Sequence, residues 1–215
     1  MERSEFCVVI PAFNEEATIG AVVIQTLKYC QPIVIDDCSS DNTSNIASKN
    51  GAIVVSHQMN QGYESALNTG FETAKDMGFG IVITLDADGQ HDPTLIDLFI
   101  EAILEGNDMV LGVRHKFFRI SEYIFSYYSN FKFGIKDPCC GMKSYKIKLY
   151  RDMGFFDKHK SVGTELAFFS VQNNCIFTQI EIPINSREGD SRYGSILSGN
   201  YKILKAIYSS IRRFQ

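Results

Sequence analysis

The chain has 215 residues, 45% of them hydrophobic and 21% charged. That excludes a disordered chain and fits one domain, or a domain with a small appendage, around a sizeable core. Its net charge of −4 lacks the basic excess of a nucleic-acid binder, so no nucleic acid is expected as a partner, while a metal-bridged anionic ligand stays open.

No run of about 18 apolar residues is present to span a membrane. Charges at Glu2, Arg3 and Glu5 leave no secretory signal in the first ten residues. The six cysteines, at positions 7, 30, 38, 139, 140 and 175, form no C-x-x-C pair and have no histidine at zinc spacing, so they read as reduced, small apolar residues of a cytoplasmic protein.

In chain order, the pattern predicts a strand from Phe6 to Ile10, a helix from Ala17 to Tyr29, a strand from Ile33 to Asp36 and a helix from Thr43 to Lys49. A strand from Ile53 to Ser56, a helix from Tyr63 to Met77 and a strand from Ile81 to Leu85 follow, then a helix from Thr94 to Glu105 and a strand from Met109 to Leu111. Such alternation implies an α/β fold with a single, mainly parallel sheet flanked by helices and joined by right-handed crossovers. Between Arg114 and Asp137 eight aromatic residues crowd together, more than one helix face buries. They read either as an acceptor groove or membrane-facing patch, or as a second small core. From Ile196 to Gln215, apolar residues at Ile203, Leu204, Ile207, Tyr208 and Ile211 lie beside Lys202, Lys205, Arg212 and Arg213. This is a basic amphipathic helix, docked on the domain or lying peripherally on an anionic membrane.

Each early strand ends in polar groups, where open α/β sheets bind ligands. The first runs into Pro11-Ala12-Phe13-Asn14-Glu15, the second into Asp36-Asp37, and the fourth into Asp86-Ala87-Asp88-Gly89-Gln90-His91. Two carboxylates one residue apart at a strand exit suit a hard divalent cation of the kind a diphosphate needs; alone, Asp-x-Asp-Gly is equally an acidic turn. Asn14 and Ser39 read as turn or cap residues, and His57, His115 and His159 as structural.

These three clusters, with Asp137-Pro138-Cys139-Cys140-Gly141-Met142 further on, resemble the family 2 glycosyltransferases of the GT-A nucleotide-sugar fold, and within them the dolichyl- and polyprenyl-phosphate sugar transferases. The resemblance runs from about Phe6 to Tyr193. It implies a glycosyltransferase domain over residues 1–195 with the amphipathic helix 196–215 appended. It further implies an inverting transfer, aided by Mg2+ or Mn2+, from a nucleotide-sugar donor (GDP-mannose or UDP-hexose type) to a polyprenyl phosphate. A glycan hydroxyl is the alternative acceptor, and a silent sugar-nucleotide-binding module the non-enzyme alternative.

By the same resemblance, Pro11, Phe13 and Glu15 make the first nucleotide contact, with the Phe13 ring flanking the base. Ile35 and Asp37 make the second, while Asp36 fixes its loop. Asp86 and Ala87 join the donor site, Asp86, Asp88 and Gln90 are the metal ligands, and His91 supports their loop. The segment around Gly62, Ala66, Asn68 and Gly70 matches a helix start that approaches the nucleotide with free N–H groups. Arg114, Arg187 and Arg192 are expected on donor or acceptor phosphates, although the segment around Arg187 and Arg192 departs from the family spacing. Glu165, or else Asp137, stands where an acceptor-side carboxylate is expected.

Overall fold

The computed structural model describes residues 5–183 and 196–214. Seven strands form one sheet in the order β3-β2-β1-β4-β6-β5-β7. They are β1 (Phe6–Ala12), β2 (Gln31–Asp36), β3 (Ile53–Ser56), β4 (Ile81–Thr84), β5 (Met109–Arg114), β6 (Lys143–Lys146) and β7 (Phe177–Ile182). All neighbours pair in parallel except β6, which runs antiparallel to both β4 and β5. The helices are α1 (Ile19–Thr26), α2 (Thr43–Lys49), α3 (Tyr63–Asp76), α4 (Ile96–Leu104), α5 (Ile120–Phe133), α6 (Ile147–Met153), α7 (Glu165–Gln172) and α8 (Ile196–Arg213).

The central strands are apolar on both faces because helices cover both sides. Along β1, Phe6, Val8 and Ile10 point into one core with α1 and α4, while Cys7 and Val9 point into the other with α3 and the later helices. Helix α3 lies against β1 at Gly70, where an added Cβ would sit 2.2 Å from Val9 Cγ1. Packing explains that glycine.

The aromatic segment divides between its two readings. Phe125 and Phe133 of α5 are buried and meet Phe168 of α7, edge-on at 6.0 Å and stacked at 4.3 Å. Tyr123, Tyr127 and Phe131 of the same helix are exposed. Helix α8 divides likewise: Ile203, Ala206, Ile207 and the following Phe214 are buried, whereas Leu204, Tyr208 and Ile211 face outward. At about 1.5–3 kcal/mol for each large side chain removed from water, the inner face holds α8 on the body.

Sheet direction places the site. The carboxyl ends of β1, β2 and β4 share one edge, and because β6 is antiparallel its beginning, at Lys143 opposite Thr84, arrives at that edge too. The Cys139–Met142 turn leading into β6 therefore lies beside the Asp-x-Asp loop leaving β4.

Candidate active site

The loops after β1 and β2 are stitched together. Ser39 Oγ accepts from Asn14 N at 2.9 Å, and Asn14 Oδ1 accepts from Ser40 N at 2.8 Å, so these two residues cross-link loops instead of capping a helix. Glu15 N donates to Thr43 Oγ1 at 2.8 Å, and Asp37 N to Ala12 O at 2.9 Å. Asn14 and Cys38 both hold left-handed backbone conformations, which persist where such contacts over-determine the chain. Of the first contact set, Phe13 stands 47% exposed at the mouth.

Asp36 accepts from Ser39 N at 3.1 Å, fixing its loop as expected. Asp37 does more than sequence suggests. Its Oδ1 accepts from Gln61 N at 2.8 Å and meets His57 Nδ1 at 2.7 Å, and its Oδ2 accepts from Gly62 N at 2.7 Å. A carboxylate offers about four acceptor positions, so three are taken. Gly62, the residue that caps the start of α3, holds a positive-φ conformation that only glycine adopts comfortably. The anion at its N-terminus is the protein's own Asp37, so the Gly62 N–H expected to be free is not. His57 spans the junction, its Nε2 meeting Thr69 Oγ1 at 2.9 Å.

Asp86 and Asp88 leave β4 as buried carboxylates. Asp86 Oδ1 accepts from Tyr63 Oη at 3.1 Å, and Asp88 Oδ1 from Gln90 N at 3.0 Å. Gly141 backs Asp86 so closely that a Cβ there would lie 2.2 Å from Oδ2 and 2.7 Å from Cγ. Thr84 Oγ1 clamps the same turn by donating to Gly141 O at 2.7 Å. Among the described residues no three His, Cys, Asp or Glu side chains converge as a complete metal cage. Two hard oxygen donors at a strand end still fit Mg2+ or Mn2+, since Mg2+ is usually bound through one or two carboxylates plus substrate phosphates and water. His91, at the end of this loop, is buried.

Beyond Gly141, Lys143 is buried and donates from Nζ to Pro138 O at 3.0 Å and Gly163 O at 2.9 Å. Burial lowers its pKa. It ties the turn behind Asp86 to the loop that enters α7. Cys139 and Cys140 precede it in the same turn, and burial pushes both thiols up to about 12, which disfavours the nucleophilic thiolate.

Arg114 and Asp137 are brought together, each bound to the other. Arg114 Nε and Nη2 donate to Asp137 Oδ2 and Oδ1 at 2.7 and 3.0 Å, and Nη2 also reaches Glu122 Oε2 at 3.3 Å. Burial pulls the Arg114 pKa down, but the hydrogen bonds and charge of Asp137 prevail and the net shift is upward. Nε and Nη2 of the guanidinium and both oxygens of the carboxylate are thus committed to this bidentate pair.

Glu165 opens α7 and is 1% exposed. Oε2 accepts from Lys158 N at 3.1 Å and Arg213 Nη1 at 3.2 Å, and Oε1 meets His159 Nδ1 at 2.7 Å. Arg213, at the end of α8, also touches His159. Arg187 and Arg192 lie outside the described residues. Sequence reading missed Tyr63, Gly141 and Lys143, and took His57 and His159 as lone structural residues. Only the Cys-Cys-Gly turn beside the Asp137 motif was a usable signal.

The family model of glycosyl transferase family 2 matches residues 7–174. A dolichyl-phosphate hexose transferase of Haloferax volcanii is 26% identical over 208 residues, 91% of this chain and 89% of that one. A UDP-N-acetylglucosamine–dolichyl-phosphate N-acetylglucosaminyltransferase of Methanococcus voltae is 35% identical over 128 residues, 50% of this chain and 51% of that one. An uncharacterized protein of Methanocaldococcus jannaschii is 44% identical over 117 residues, 53% and 48% of the two chains. The last two matches cover only about half the length of those relatives. Among solved structures, glucosyl-3-phosphoglycerate synthase from Mycobacterium tuberculosis, in complex with Mn2+, UDP and phosphoglyceric acid, superposes with a TM-score of 0.74 at 19% identity, covering 95% of this chain and 77% of that one; this likeness shows the GT-A fold. With a family match over most of its length and that fold, the chain belongs to glycosyl transferase family 2.

Proposed function

We propose that this protein is an inverting, metal-dependent glycosyltransferase that moves a sugar from a nucleotide-sugar of GDP-mannose or UDP-hexose type to a polyprenyl phosphate. The observation that carries the reading is the paired Asp86 and Asp88 at the end of β4, backed by Gly141 and facing the same sheet edge as Phe13 and Asp37. The exposed Phe13 ring offers a stacking face for a base, and the fourth acceptor position of Asp37 offers it a hydrogen bond. Asp86 and Asp88, with Gln90, would hold Mg2+ or Mn2+, which when bound neutralises charge on the departing diphosphate. The acceptor oxygen bonds to the anomeric carbon from one face. The bond from that carbon to the donor's β-phosphate oxygen breaks on the other, and its electron pair leaves with the nucleoside diphosphate.

Burial of the acceptor-side carboxylates favours a phosphate acceptor. A hydroxyl must lose a proton as it attacks, whereas a lipid phosphate is already anionic and needs only positioning. Glu165 is held by His159, Arg213 and a backbone N–H, and Asp137 by Arg114, so neither is poised to take a proton. The named dolichyl-phosphate transferases among the relatives agree with this choice. Residues 1–195 would make up the transferase body and 196–215 its appended helix.

The test is incubation of the purified chain with radiolabelled GDP-mannose or UDP-hexoses and Mg2+ or Mn2+, with a polyprenyl phosphate or a glycan as acceptor. Metal-dependent label in the lipid phosphate supports the reading. Label in glycan alone overturns the acceptor, and neither transfer nor donor hydrolysis with any donor overturns the activity.

A further inference from the structure

Helices α5 and α8 lie side by side. Ser121 N, at the start of α5, donates to Asn200 Oδ1 near the start of α8 at 3.1 Å, and Phe133 at the end of α5 meets Phe214 at the end of α8 with ring centroids 6.0 Å apart. The helices therefore run in the same direction. Both also bury aromatic rings against Phe168 of α7. Two parallel helices resting on one layer turn their opposite faces outward together.

Those outer faces are apolar. On α5 the exposed residues Ile120, Tyr123, Ile124, Tyr127 and Phe131 fall at i, i+3, i+4, i+7 and i+11, one stripe opposite the buried stripe of Ser121, Phe125, Ser129 and Phe133. On α8, Tyr201, Leu204, Tyr208 and Ile211 fall at i, i+3, i+7 and i+10. An apolar surface of this extent needs a partner. Charge identifies it. The chain is −4 overall, yet α8 carries Lys202, Lys205, Arg212 and Arg213 with no acidic residue. Residues 115–136 add four more basic residues against only Glu122, itself buried and paired with Arg114 and Arg119. Exposed tyrosines, aliphatic side chains and a basic rim are the composition of a surface that settles at the headgroup level of an anionic bilayer.

We propose that the joined outer faces of α5 and α8 form a docking platform for an anionic lipid bilayer, with the inner face of α8 remaining bound to the body. The purpose of the platform rests on the polyprenyl-phosphate reading, because such an acceptor resides in a membrane; the binding itself does not. Arg213 at the end of α8 joins Glu165 and His159, so the platform is tied to the acceptor-side loop.

The experiment is co-sedimentation of the purified full chain with phosphatidylcholine vesicles and with vesicles containing about one-third phosphatidylglycerol, in low and high salt, with no donor or acceptor present. Binding to the anionic vesicles that weakens in salt is expected. Y127D/F131D should abolish it; both residues are at least 79% exposed, and a thermal melt checks that the variant folds. K205A/R212A should lower the partition coefficient at least about tenfold. Lack of binding to either vesicle, or binding that both variants leave unchanged, would overturn the proposal. So would a dimer in light scattering that Y127D/F131D dissociates, since a second copy would then cover this face. As no turnover is read, failure here leaves the transferase assignment standing, and a failed transfer assay leaves this one standing.

Discussion

Gly141→Ala places a methyl group where the structure has room for none. The added Cβ would lie 2.2, 2.7 and 2.9 Å from Oδ2, Cγ and Oδ1 of Asp86, against an ordinary carbon–oxygen contact of roughly 3.3 Å, so the carboxylate or the turn must move by about 1 Å. Gly141 is not at positive φ, so alanine brings no backbone strain and the clash acts alone. Overpacking of this kind costs about 1–3 kcal/mol, or roughly 2–12 °C in Tm for a chain of this size. The functional loss should be larger, since a displacement of about 1 Å in a positioning group costs on the order of 100-fold. Gly70→Ala is the control: its Cβ would also fall 2.2 Å from a neighbour, but that neighbour is Val9 Cγ1 in the apolar core. Both variants should melt lower, and only Gly141→Ala should weaken Mn2+ binding, read by titration calorimetry with nucleoside diphosphate present. Equal metal affinity in the two variants would refute the reasoning that Gly141 sets the position of a metal-binding carboxylate.

Asp88→Asn should lower transfer at least about 100-fold while leaving the melting curve in place, because a carboxamide is a poor substitute for an anionic ligand; full turnover with an unchanged metal requirement would remove Asp88 from the site. Arg114→Ala leaves Asp137 and Glu122 buried without their cation and should cost about 3–5 kcal/mol in urea unfolding. A pure donor-affinity defect at unchanged stability would instead make Arg114 a ligand to phosphate. Cys139 and Cys140 have folded pKa values raised to about 12 from 9.0, so their stabilisation is complete below pH 9 and is lost as pH rises toward 12. The wild type should lose up to about 1.4 kcal/mol per pH unit per thiol in that window, a slope that C139A/C140A should flatten in urea titrations at pH 8 and 10.5. Glu165→Gln separates the acceptor classes: about 100-fold loss or more if a hydroxyl needs a base, and only a modest positional loss with a lipid phosphate, measured as turnover on each acceptor.

Strict alternation of apolar runs with helical periods made the first half of the sheet legible, and α2 and β3 run over Thr43–Lys49 and Ile53–Ser56 as the pattern predicts. Legibility fails where burial is decided by tertiary partners. Lys143-Ser144-Tyr145-Lys146 has no alternation that marks a strand, yet three of its four residues are buried in β6, among them Lys143, whose ammonium is received by two carbonyls. The charged candidates show the same limit. A lone sequence presents Arg114, Asp137 and Glu165 as available charges, and the fold reveals that each already has a partner, some of them far along the chain: Asp137 lies 23 residues from Arg114, and Arg213 lies 48 from Glu165.

The rule that ligands meet the carboxyl ends of parallel strands pointed to the ends of β1, β2 and β4 without any coordinates, and Phe13, Asp37 and Asp86 follow those ends on one edge of the sheet. It missed the turn at Gly141 for a definite reason: among the described strands β6 alone runs against its neighbours, so its amino end reaches the edge where β1, β2 and β4 end. Residues that precede a strand then occupy the place normally held by residues that follow one. From there Gly141 presses on Asp86, and Lys143 joins the turn behind Asp86 to the Gly163 loop and so to the start of α7. Helix α7 begins with Glu165, Glu165 holds Arg213, and Arg213 ends α8. A continuous chain of contacts thus runs from the carboxylate expected to hold the metal to the helix that carries the exposed apolar and basic face.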